Sequence, residues 1–113
     1  MGPDFAGQQQ IEAAVSSGWR PRGQALVREL SFRDFDEALR FADVLGAKAV
    51  DYLRRPDMLI RSNRLRLSVE NRHHAGFTKA EMRLIEKATA VIEAHGPPRR
   101  APAPLTAAPA TYR

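Results

Sequence analysis

The hydrophobic patterns along this chain predict an α+β domain, a four-stranded antiparallel sheet with helices packed on one face. Three observations predict it. Leu65, Leu67 and Val69 alternate strictly with Arg64, Arg66, Ser68 and Glu70, the two-residue period of a strand with one face on a core. Ala38, Phe41, Ala42, Leu45, Ala49 and Tyr52 recur at intervals of three and four, the buried stripe of a helix of about five turns. Met82, Leu84, Ile85, Ala88, Val91 and Ile92 give a later helix a broad apolar face. That face is broader than one sheet contact needs, which points to a second contact with another subunit.

In chain order, residues 1–10 carry Gly2, Pro3, Gly7 and three glutamines and predict a loose start. Ile11, Ala14 and Val15 predict a short helix closed by Ser16-Ser17-Gly18. Trp19 follows as a core-edge anchor, and Pro21 and Gly23 mark a turn or an edge strand. Ala25 to Phe32 alternates as a strand with Leu30 and Phe32 inward. Asp34 with Glu37, and later Thr78 with Glu81, have the spacing of reciprocal capping boxes. Pro56 predicts that the long helix stops near Arg54. Met58 to Arg61, the Ser62-Asn63 turn and the alternating strand make the clearest hairpin. Gly96 ends the last helix. The Pro/Ala-rich stretch 96–113 then holds too little apolar surface to fold. Its Arg99, Arg100, Tyr112 and Arg113 would be the anchors if it docks. The expected organisation is a flexible 1–10, one domain over 11–95 and a disordered tail over 96–113. The opposite sheet face or an edge strand stays open for association.

With 113 residues there is room for one domain and one modest core. A formal charge of +5 and a pI near 10.4 imply attraction to acidic surfaces without choosing among them. The absence of cysteine excludes disulfides and thiolate zinc sites, and His73, His74 and His95 lack a metal-site spacing. No apolar run approaches the ~20 residues of a membrane span. Met1-Gly2-Pro3-Asp4 lacks the basic start and apolar core of a secretory signal, so a cytoplasmic location is expected.

The order of elements, with Gly18-Trp19, the run Phe32-Arg33-Asp34-Phe35-Asp36-Glu37-Ala38-Leu39-Arg40-Phe41, Pro56-Asp57, Asn63 and Ala75-Gly76-Phe77-Thr78-Lys79-Ala80-Glu81, resembles the pterin-4a-carbinolamine dehydratases. The resemblance spans about residues 11–95. It implies the helix-covered four-stranded sheet already predicted, in dimers or tetramers. It also implies an active site marked by a His-His-Pro triplet, a carboxylate four residues before it and a third histidine after the last strand. Here the triplet reads Arg54-Arg55-Pro56, the carboxylate position is Val50 and the third position is Arg72. Dehydration needs a group that gives and takes a proton near neutral pH, as imidazole does and guanidinium does not. The resemblance therefore implies a pseudoenzyme with no catalytic residues, no metal and no cofactor. A one-residue slip that recruits His73, His74 or Asp51 turns the side chains to another face.

If the family geometry holds, Arg54, Arg55 and Arg72 converge on one cavity and accept acidic side chains or a phosphate. In the competing arrangement they point apart, solvated or paired with Asp51, Asp57 and Glu70. Arg64 and Arg66 add a basic stripe on the polar face of the best strand. The degenerate triplet and the size resemble a branch encoded with carboxysome genes, an assembly factor for Rubisco in α-carboxysomes. The partner implied is the acidic surface of the Rubisco large subunit, held by a homodimer whose location is cytoplasmic or carboxysome-associated. The alternatives are a dehydratase with weak or altered activity, and a dimerisation module for a transcription or nucleic-acid partner. Against the latter, there is no helix-turn-helix signature and no aromatic platform among the arginines.

Overall fold

Helices form where apolar residues recur every three or four positions, and strands where they alternate. The resulting order is α1 (Gln8–Ser16), β1 (Arg20–Arg22), β2 (Ala25–Ser31), α2 (Phe35–Lys48), β3 (Asp57–Arg61), β4 (Arg64–Glu70) and α3 (Lys79–His95). A computed structural model describes residues 4–51, 53–72 and 76–97. The strands form one antiparallel sheet in the order β1-β2-β4-β3. This is the α+β class expected, with the two best-patterned strands side by side in the middle.

The core lies between one sheet face and the helices. Leu26 and Leu30 of β2 and Leu65, Leu67 and Val69 of β4 meet Phe41, Ala42 and Leu45 of α2 and Met82, Leu84, Ile85 and Ala88 of α3. Trp19 is fully buried, and its indole Nε1–H donates to Thr89 Oγ1 at 2.9 Å, which satisfies the one polar atom of a large ring. Gly18 before it has φ +109, a left-handed conformation open to glycine. A Cβ there would lie 2.9 Å from the Arg28 guanidinium, whose Nη1 donates to Ser17 O.

Four expectations are corrected. The broad apolar face of α3 needs no second subunit, because α1, α2 and β4 pack against the helix from different sides and bury Met82, Leu84, Ile85, Ala88, Val91 and Ile92. The chain start is tied down from Asp4. Ala6 N–H donates to Phe77 O at 2.9 Å, Lys79 N–H donates to Asp4 O at 2.7 Å, and α1 begins at Gln8. The Asp34 box is half formed. Asp34 Oδ1 accepts from Glu37 N at 2.8 Å, but Glu37 Oε1 takes the Arg33 N–H at 3.3 Å. Finally, α2 stops at Lys48, with Ala49 as its C-cap, well short of Arg54. Tyr52 and the tail beyond Pro97 lie outside the described residues. The Thr78–Glu81 box forms in full, at 2.8 and 3.1 Å.

Candidate functional site

After α2 the chain enters the segment 49–56, where Val50, Asp51 and Arg54 are held by side chains distant in sequence. Asp51 and Arg54 exchange backbone hydrogen bonds of 2.9 and 2.8 Å, which closes a tight turn. Leu53 in that turn has φ 61 and is 94% exposed. From α3, the Lys87 ammonium donates to Val50 O at 2.6 Å and lies 3.5 Å from Asp51 Oδ1, and Arg83 lies 3.6 Å from Asp51 Oδ2. The segment is thus pinned to α3 by cations.

Arg54 reaches inward. Its Nη1 donates to Glu81 Oε2 at 3.0 Å and its Nη2 to Glu70 O at 3.0 Å. Glu81 is 3% exposed and collects donors from three places: Thr78 N at 2.8 Å, Arg54 and, at 3.4 Å, Arg72 N. A buried carboxylate is tolerated when its lone pairs are met in this way. Arg55 turns the other way, and its Nε donates to Gly46 O at 2.6 Å, capping one of the open carbonyls in the last turn of α2.

The five arginines expected to form a partner site therefore fall into separate places. Arg54 and the backbone of Arg72 meet at Glu81. The Arg55 side chain is engaged at the end of α2, and the Arg72 side chain is exposed. Arg64 and Arg66 stand on the far side of the sheet, where the Arg66 Nη2 lies 3.3 Å from Glu29 Oε1. Asp51 serves Arg83 and Lys87 instead of the Arg54-Arg55 pair, and Glu70 offers Arg54 its backbone carbonyl. The sequence reading found Glu81 only as a capping residue, and its role as the Arg54 counter-ion had no local signal. His73 and His74 lie outside the described residues.

Neither of two surface cavities is lined by Arg54, Arg55 or Arg72. One of about 60 Å³ is lined by Glu29, Leu59, Arg61, Arg64 and Arg66 on the uncovered sheet face. A larger open groove runs between α2 and the C-terminal end of α3, past Phe41, Val44 and His95. No group of three or more histidine, aspartate or glutamate side chains suited to a metal occurs among the described residues. No helix among them is long and apolar enough to cross a membrane.

Comparison with known proteins places this geometry in a family. The model for pterin 4 alpha carbinolamine dehydratase matches residues 6–91. A protein assigned by name as a pterin-4-alpha-carbinolamine dehydratase in Thermomicrobium roseum is 34% identical over 70 residues, 62% of this chain and 75% of that relative. One so named in Metallosphaera sedula is 28% identical over 81 residues, 70% and 84% of the two chains. The crystal structure of a transcriptional coactivator/pterin dehydratase from Brucella melitensis superposes with a TM-score of 0.58 at 19% identity, covering 78% of this chain and 98% of that one. At that identity the superposition speaks for the fold. With the family model covering most of the sequence and the helix-covered sheet in the expected order, the chain belongs to the pterin 4 alpha carbinolamine dehydratase family.

Proposed function

We propose that this chain is a non-catalytic member of its family that holds an acidic protein partner, acting as a homodimeric assembly factor for the Rubisco large subunit in carbon fixation linked to α-carboxysomes. The observation that carries the reading is the engagement of Arg54. At the position of the first histidine of the resembling triplet stands a guanidinium bonded to Glu81 and to Glu70 O. With its neighbour Arg55 on Gly46 O, that pair of positions supplies fixed cations in place of groups that exchange protons near neutral pH. The basic charge of the chain suits an acidic partner.

The test is co-expression of Rubisco subunits with and without this chain, read on native gels. A higher yield of assembled enzyme is expected, and an unchanged yield overturns the assembly role. In parallel, carbinolamine turnover is measured. No turnover above the uncatalysed rate is expected. Turnover that disappears in His73→Ala or His74→Ala restores the enzyme reading. Tight binding of nonspecific DNA at physiological salt restores the nucleic-acid reading.

A further inference from the structure

We infer that β3, an outer strand of the sheet, is the seam of a twofold homodimer, pairing antiparallel with the β3 of a second copy about Leu59. The sheet has two edges, and they are built differently. β1 reads Arg20-Pro21-Arg22. A short strand, a proline that withholds a backbone donor and two like charges guard that edge against another strand. β3 reads Asp57-Met58-Leu59-Ile60-Arg61 and has no such guard at its centre. Met58 and Leu59 are 38% and 47% exposed, and Ile60 is half-buried, so an apolar run lies along the row of backbone donors and acceptors that an edge strand presents.

The hairpin register fixes which of those groups face outward. Arg61 and Arg64 flank the two-residue Ser62-Asn63 turn, which makes them a hydrogen-bonded pair. Such pairs alternate along a ladder, so Arg61, Leu59 and Asp57 turn their N–H and C=O groups to β4, and Ile60 and Met58 turn theirs away from the sheet. When a second β3 runs antiparallel with Leu59 across from its own copy, Met58 stands across from the partner's Ile60 and Ile60 across from the partner's Met58. The outward donors and acceptors then meet each other reciprocally. The side chains agree with the backbone. Met58 and Ile60 lie on the helix-covered face, across from buried Leu67 and Leu65 of β4, and carry the core over the seam. On the other face Asp57 stands across from the partner's Arg61 at both ends. Asp57 is exposed and pairs with no cation among the described residues. Arg61 keeps the contact it has within its own protomer, and a guanidinium has several donors to share. Opposite charges facing across a strand pair steady its register, and a shift of two residues either way loses both ion pairs and shortens the overlap. The strand is complementary to itself, which makes a second copy its partner. The homodimer of the holding role proposed above acquires this seam; its use rests on that reading and the pairing on β3 alone.

The experiment uses the full chain. Because the sequence has no cysteine, Leu59→Cys places a single thiol on the twofold axis, where facing residues of a non-hydrogen-bonded pair lie about 4.5 Å apart, within reach of a disulfide. Oxidised glutathione is expected to link most of the Leu59→Cys variant into dimers on a non-reducing gel and to leave Asp57→Cys and Leu53→Cys, both at exposed positions, unlinked. Sedimentation then measures dimer dissociation. Asp57→Arg is expected to weaken the dimer about tenfold, since the axis counts each substitution twice, and adding Arg61→Asp is expected to restore it to within about threefold. If a charge variant melts early, the cysteine series decides. Equal linking of all three cysteine variants, a monomer at every concentration, or a double variant no tighter than Asp57→Arg each overturn the inference. Linking at Leu59→Cys beside an unchanged Rubisco yield removes the holding role and keeps the seam. A raised yield from a monomeric chain removes the seam and keeps the holding role.

Discussion

Glu81 shows how much a single side chain decides. One of its oxygens closes the N-cap box of α3 while the other receives Arg54 and Arg72 N, so helix start, turn and strand end share one carboxylate. Removing one member of a buried ion pair leaves the other without compensation, at a cost of about 3 kcal/mol. Arg54→Met is accordingly expected to lower unfolding stability by about that amount in urea titration, and a change within error would show the pair to be dispensable. Ser62 makes the opposite case. Its φ of 57 at the β3–β4 turn is one that a Cβ disfavours and glycine accepts. Ser62→Gly is expected to raise stability by about 0.5–1 kcal/mol, measured in the same way.

At the scale of elements, the instructive case is the end of α2. A proline forbids helix immediately before itself, and the apolar spacing through Ala49 and Tyr52 predicts helix almost up to that limit. The helix nevertheless closes at Lys48, where side chains meet the carbonyls that further helix would have used: Gly46 O, in the last turn, takes Arg55, and Val50 O, past the end, takes Lys87. Ala49 remains fully buried outside the helix, so at that position the apolar period was read correctly as burial and incorrectly as helix. Cationic caps at a helix C-terminus contribute about 0.3–1 kcal/mol. Arg55→Ala is expected to lose that much, with faster amide exchange confined to the last turn of α2. Uniform exchange along the helix would contradict the capping role.

Over the whole molecule, the sheet separates two arginine populations. Those on the helix side, Arg54 and Arg55, are tied into the fold. Those on the far side, Arg61, Arg64 and Arg66, line a small cavity together with Glu29 and Leu59, and Arg66 is paired with Glu29. Contacts made by half-exposed charges are screened over about 8 Å at physiological salt. Affinity for an acidic peptide is therefore expected to fall severalfold as salt rises from about 0.05 to about 0.3 M, while the melting curve, governed by the buried core, stays nearly fixed. Salt-independent binding would move the contact to an apolar surface such as the groove beside Phe41 and Val44.

The sequence by itself determined the order of the elements, the antiparallel hairpins, the inward sets of β2, β4 and α3, and the full Thr78–Glu81 cap. Each follows from residues a few positions apart, where periodicity and capping chemistry act. It also placed Arg64 and Arg66 on the polar face of their strand, since alternation fixes the side. Only the tertiary structure decided which arginine meets which acceptor, because Arg54 and Glu81 are 27 residues apart and Arg54 and Glu70 are 16 apart. Arg61 joins Arg64 through the register of a turn. An ion pair between distant residues leaves no period in the chain: it exists once the sheet and α3 have brought the two charges together, and the choice among carboxylates is made there by burial and distance.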